Sequence, residues 1–181
     1  MNLTKVLHLV LFLILLSGCH AVYSTNPVGE APVAVSPGDW EGTWVYKDGA
    51  VTVAVLDKEK GVLEVGWVEK KQNRLQYEHY KVLLRQSGEW LFGNVQDPDR
   101  PKLYVWGRIR SEDGQIILWV PDVEKARALV EKGVLPGRAE KKDSDVVLSN
   151  PGAAEFMRIL SGEKGALLDW ERPLVFRRLP N

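Results

Sequence analysis

Few side chains in this 181-residue chain are of types that drive chemistry: a single Cys, Cys19, and three His, at 8, 20 and 79. Beyond residue 20 only His79 remains, and one imidazole makes neither a typical zinc site nor a nucleophile–base–acid triad. The chain holds no G-x-S-x-G elbow, no phosphate loop and no H-E-x-x-H pair. Asp97 and Asp99 share a turn, but the EF-hand spacing of acidic residues and Gly is missing, so the turn reads as solvated. The expectation is a non-catalytic protein with no metal and no cofactor. The most site-like run is Tyr77-Glu78-His79-Tyr80. On a strand, Tyr77 and His79 face one way and Glu78 and Tyr80 the other. Pointing inward, His79 would orient a ligand's carboxylate or hydroxyl inside an aromatic cavity; pointing outward, it is an exposed strand residue near a rim tyrosine. Trp67 and Trp106, with Trp90 and Trp119, carry two readings as well, because an indole with its one N–H donor serves either a ligand pocket or core filling. Tyr77, His79, Trp67 and Trp106 are therefore the candidate ligand-binding residues.

Composition limits the partners. The 24 Lys+Arg balance 24 Asp+Glu, whereas a nucleic-acid partner needs a clustered cationic face. One Cys excludes an intramolecular disulfide, and the length suits one domain of roughly 100–200 residues. The first nineteen residues have three parts: Lys5 as a short cationic start, an apolar run from Val6 to Leu16 broken only by His8, and Leu16-Ser17-Gly18-Cys19. This is the plan of a secretory signal peptide, too short to span a bilayer, which takes about 20 residues.

Leu16-Ser17-Gly18-Cys19 resembles the lipobox of bacterial lipoproteins. The resemblance implies cleavage before Cys19, a diacylglyceryl thioether on its sulfur and an N-acyl chain such as palmitate. Each buried CH₂ contributes about 0.8 kcal/mol, so two or more chains hold a bilayer where one would not. Residue 20 is His rather than the Asp associated with inner-membrane retention, which implies the periplasmic face of the outer membrane. Residues 1–18 then form the signal peptide. Residues 19–37 form the acylated Cys and a flexible tether, since Pro27, Pro32, Pro37 and Gly29 lie among small residues with no sustained period. Residues 38–181 form the folded domain.

From Trp40 the dominant period is 2. Thr43-Trp44-Val45-Tyr46 runs into Asp48-Gly49, and Val51–Val55 leaves it; Asp113-Gly114 joins Leu103–Trp106 to Ile116–Trp119. Asp-Gly between strand-like runs predicts a hairpin, because a type I′ turn needs positive φ twice. Ser87-Gly88 is a looser third copy, and Lys58–Gly61, Lys70–Arg74 and Asp97–Pro101 are further turns. Turns every ~9–14 residues fit an antiparallel sandwich or barrel. Several strands are apolar on both faces: Leu103, Val105, Gly107 and Ile109 oppose Tyr104, Trp106 and Arg108. That fits either a sandwich whose outer surface a helix covers, or a barrel with an aromatic-lined interior. Two helices are predicted late, Asp122–Lys132 stopping at Gly133 and Asn150–Ser161 stopping at Gly162, before a final strand Leu174–Leu179.

Gly42-Thr43-Trp44 on the first strand, with Arg177 and Arg178 on the last, resembles the lipocalin and wider calycin pattern. In that family a G-x-W Trp at the barrel base packs beneath an Arg from the terminal strand, a cation–π contact of about 0.5–2 kcal/mol. The resemblance implies a mainly β fold, an antiparallel meander closed into a small barrel of about 8–9 strands. The two helices before the last strand depart from the common lipocalin order. Trp44 with Arg177 or Arg178 would close the barrel. Two functions follow as expectations: a small apolar or amphipathic ligand held in the barrel, or a solidly packed barrel that binds another cell-envelope protein.

Overall fold

The computed structural model describes residues 20–47, 49–71, 74–139, 145–150, 157, 160 and 167–180. The leader and Cys19 lie outside these residues. In chain order the elements are β1 (Val22–Ser24), β2 (Ala31–Pro32), the single helical turn α1 (Pro37–Trp40), β3 (Gly42–Tyr46), β4 (Gly49–Asp57), β5 (Val62–Lys71), β6 (Arg74–Ser87), β7 (Trp90–Gln96), β8 (Tyr104–Glu112), β9 (Gln115–Trp119), α2 (Val123–Glu131), β10 (Gly137–Ala139), β11 (Val146–Leu148) and β12 (Leu174–Arg178).

Strands β3 to β9 form an antiparallel meander, and β12 pairs with both β9 and β3, closing a barrel of eight strands. Hairpin chemistry sets much of this register. Glu112 pairs with Gln115 across Asp113 (φ 50°) and Gly114 (φ 71°), the double positive φ that an Asp-Gly type I′ turn requires. Ser87 pairs with Trp90 across a turn with Gly88 at φ 55°. The first hairpin departs from expectation: Tyr46 pairs with Gly49, so Gly49 belongs to the strand. A Cβ there would lie 2.8 Å from the Tyr46 ring, so glycine admits that ring.

The barrel wall separates two cores. Inside are Trp44, Val51, Val53, Leu63, Leu84, Ile116 and Phe176. Outside, Phe92 and Trp106 pack with Val22, Val28, Ala126, Leu148, Leu160 and Leu168. Strands β7 and β8 serve both cores, which explains their apolar residues on both faces. Leu91 and Ile109 face in; Phe92 and Trp106 face out. The outer core is covered by α2 and by a side sheet in which β1 lies between β8 and β11 and β10 pairs with β11.

Helix α2 starts where its chemistry dictates. The Asp122 side chain accepts from Lys125 N at 3.1 Å, and Gly133 takes φ 67° beyond the last turn. The second predicted helix, 150–161, falls largely outside the described residues; within it Met157 and Leu160 are helical and buried.

Residues 20–37, expected as a flexible tether, are instead fixed to the barrel. Tyr23 pairs with Val105, Val28 is fully buried, and Ala31 pairs with Gln86. The Asn94 side chain accepts from Val28 N at 2.6 Å and donates to Val28 O at 3.1 Å. Arg85 Nε donates to Gly29 O at 3.0 Å. Gly29 has φ +110°, and a Cβ would lie 2.6 Å from Arg85 Cβ. Its Pro and Gly content makes the segment irregular without freeing it, because its partners are far away in sequence.

Candidate functional site

The barrel has one sealed end and one less sealed. At the sealed end α1 turns across the opening, and Trp44 is 1% exposed with its Nε1 donating to Trp40 O at 2.9 Å. Arg178 is directly opposite Trp44 on the neighbouring strand, with its guanidinium carbon 5.4 Å from the indole centroid. Its Nη1 donates to Gly38 O at 2.7 Å, and Nη2 donates to Glu41 O. Gly42 has φ +134°, and a Cβ there would lie 3.3 Å from Arg178 Nε. The glycine of G-x-W thus supplies a backbone conformation and the space beside the cation. Arg177 pairs with Val45 and points to solvent. A cleft of about 330 Å³ lies here, lined by polar Asp39, Ser111, Glu112 and Asp113 as well as by Trp40, Trp44 and Arg178.

The interior above Trp44 is filled on the β7–β9 side. A Cβ on Gly93 would lie 2.6 Å from Ile109 Cδ1, and one on Gly107 would lie 2.6 Å from Leu118 Cδ1. Neighbouring side chains already use the space those glycines leave. Toward the opposite end, Tyr46 and Trp67 stand 4.7 Å apart between ring centroids, and Phe176 lies 5.4 Å from Tyr46 and 6.0 Å from Trp67. Tyr46 and Trp67 are only partly buried, so this aromatic trio faces the mouth. Across the sheet from Trp67 is Glu78, whose carboxylate accepts from the Tyr80 hydroxyl.

The sequence-predicted ligand residues do not converge. Trp67 lines the mouth. Trp106 is 4% exposed in the outer core, behind the barrel wall. Tyr77 and His79 lie on the outer face: Tyr77 is 66% exposed, and His79 Nε2 is 2.7 Å from Glu64 Oε1 with both side chains in solvent. The inward orientation of His79 does not occur. Cys19 lies outside the described residues. Among the described residues no three His, Cys, Asp or Glu side chains are grouped to hold a metal ion.

Two charged clusters escaped the sequence reading. Arg100 stacks over Tyr23 at 3.9 Å and bonds Asp97 at 3.1 Å and Asp145 at 2.8 Å, while Asp145 Oδ1 accepts from Ala21 N at 3.0 Å. Burial raises the Asp97 pKa, but the backbone N–H groups of Arg100 and Asp99 and the Arg100 guanidinium outweigh it and hold the carboxyl below its ordinary value. Burial also raises the Tyr23 pKa.

The second cluster is on the outer wall. The Arg108 guanidinium carbon lies 3.8 Å from the Trp90 ring centroid, 5.1 Å from Trp170 and 5.4 Å from Trp119. Arg108 Nε is buried with no hydrogen-bond partner. Part of this was readable, since an Asp113-Gly114 hairpin aligns Arg108 opposite Trp119; nothing in the sequence pointed to Trp170. No family model, curated protein or solved structure matches the chain.

Proposed function

We propose that this chain is a lipid-anchored, extracytoplasmic protein with a lipocalin-like barrel that binds a small apolar or amphipathic ligand at its mouth. The observation that carries the reading is the aromatic trio Tyr46, Trp67 and Phe176. Two of its three rings are partly exposed, at the end opposite the Trp44–Arg178 closure. Indole and phenol rings give large contact area at low entropic cost and keep one polar atom for an amphipathic head. The filled interior near Gly93 and Gly107 makes the site a shallow one. The anchor rests on Leu16-Ser17-Gly18-Cys19. Because the chain joins the sheet from Ala21, a lipid on Cys19 would hold the barrel against the bilayer rather than at the end of a tether.

The test is titration of the full-length protein with N-phenyl-1-naphthylamine, a neutral apolar fluorophore. Saturable fluorescence enhancement, weakened at least tenfold by Trp67→Ala, supports the mouth site. No saturable binding, or equal binding by the variant, overturns it.

A second reading has its own observation. Strand β7 begins to pair with β6 only at Val82, so the segment Arg74–His79 runs past the wall with no strand beyond it among the described residues, and Leu75 is 77% exposed. Such an edge accepts an added strand from a partner. A photo-crosslinker at Leu75 that captures one envelope protein, while the fluorophore fails to bind, selects this reading.

A further inference from the structure

We propose that Arg108, framed by Trp90, Trp119 and Trp170 on the outer wall of the barrel, is a binding site for the oxyanion of a small aromatic or apolar acid. The site is separate from the barrel mouth. Four observations carry it.

The first is the charge. None of the described hydrogen bonds or ion pairs involves an Arg108 nitrogen, whereas two other arginines, one of them on the same strand, are paired. Arg110 bonds Glu112, and Arg172 bonds Asp169 at 2.7 Å. A guanidinium carries five donors in a planar fork shaped for carboxylate or phosphate oxygens. The second is its setting. The Nε atom is buried without a partner, and a buried polar atom left unsatisfied calls for an explanation. Arg108 as a whole is half-buried rather than sealed, which leaves the cluster access to solvent.

The third is rigidity. Trp90 sits against Phe92 and edge-on to Trp170 at 5.9 Å, and Trp170 meets Trp119 at 5.4 Å, so the rings hold one another. A cation stacked at 3.8 Å on one of these rings is held in one orientation before any ligand arrives, which lowers the ordering cost of binding. The fourth is electrostatic. Burial, and then the Arg110 charge, pull the Arg108 pKa below its ordinary value, so the cation lies in a site where an added negative charge is welcome. The flanking indoles supply apolar and π surface for the body of the acid, which sets an aromatic carboxylate above a bare ion.

The test uses the full-length protein and ¹⁹F ligand-observed NMR with 4-fluorobenzoate and its neutral analogue 4-fluorobenzyl alcohol. The expected result is at least tenfold tighter binding of the acid. Arg108→Gln should erase that preference, and Arg108→Lys should keep part of it, because Lys retains the charge without the planar fork. Trp67→Ala should leave the preference intact, which separates this site from the barrel mouth. Inorganic phosphate is the bare-ion control: it should displace the acid only weakly, and displacement as effective as that by the acid itself would show that the indoles select no aromatic body and would overturn the proposal. Equal binding of acid and alcohol by the intact protein, or an unchanged preference in a folded Arg108→Gln variant, overturns the proposal.

Discussion

Arg178 and Trp44 face each other across the seam between the last strand and the first, and the guanidinium also bonds Gly38 O within α1 and Glu41 O just after it. One side chain thereby joins closure of the sheet to closure of the barrel end. Trp44→Ala should lower stability by about 3–5 kcal/mol, the cost of truncating a buried aromatic ring. Arg178→Ala should cost about 1–3 kcal/mol, since a cation–π contact and two charge-assisted bonds are lost. Arg177→Ala, in solvent one residue away, should stay within about 0.5 kcal/mol. Urea unfolding of the three variants checks the order. A larger loss for Arg177→Ala than for Arg178→Ala would show that Arg178 does not close the barrel.

Acid should weaken the fold through Asp97. Its folded-state pKa lies below the ordinary 3.8, so the unfolded chain binds the proton more readily. The associated stability is present in full above the unfolded value and is lost as pH falls through the folded one. Asp97→Asn removes the charge that receives Arg100 and keeps a side-chain acceptor. The variant should be about 1–3 kcal/mol less stable at pH 7 and should show a flatter decline in urea midpoint between pH 5 and pH 3. Parallel curves for variant and parent would show that Asp97 does not carry this acid dependence.

Much of the barrel could be read from local chemistry. Asp113-Gly114 set its hairpin in register, and Asp122 and Gly133 marked the ends of α2. The limits were those of long-range pairing. Alternation on β7 and β8 showed that both faces are apolar, but not that one face serves the barrel and the other a separate outer core. Residues 20–37 looked free because no local period runs through them, whereas their bonds are to Asn94, Gln86 and Asp145. Likewise His79 had two orientations on a strand. Only the pairing of β5 with β6 places it beside Gly66 on the outer face, with Glu64 within reach.

That outer position makes His79 expendable. Its contact with Glu64 is in solvent, where an ion pair is worth about 0–1 kcal/mol. His79→Ala should shift stability by less than about 0.5 kcal/mol and leave naphthylamine binding unchanged. A tenfold loss of binding would return the residue to the site and displace Trp67 as its centre.

Asn94 should prove the opposite case, a polar residue whose loss frees a whole segment. It is fully buried, and its amide spans the Val28 N–H, the Val28 carbonyl and the Leu83 carbonyl, the last at 3.2 Å. Truncation to Ala leaves the Val28 N–H facing apolar neighbours in the outer core, at about 1–3 kcal/mol for a stranded buried donor. The side chain that held residues 28–30 to β6 and β7 would then be reduced to Arg85. Asn94→Ala should therefore cost about 2–4 kcal/mol, with a local signature beyond the global loss. The Val28 and Glu30 amides should exchange with solvent at least a hundredfold faster, while Leu84, bonded to Gly61 O inside the barrel, stays protected. Asn94→Asp keeps the acceptor for the Val28 N–H but turns a buried carboxylate oxygen toward the Val28 and Leu83 carbonyls, so it should be at least as destabilising as Ala. Uniform acceleration of all three amides would mean that the segment and the barrel unfold together, and the bonds of Asn94 would then have no special hold on residues 20–37.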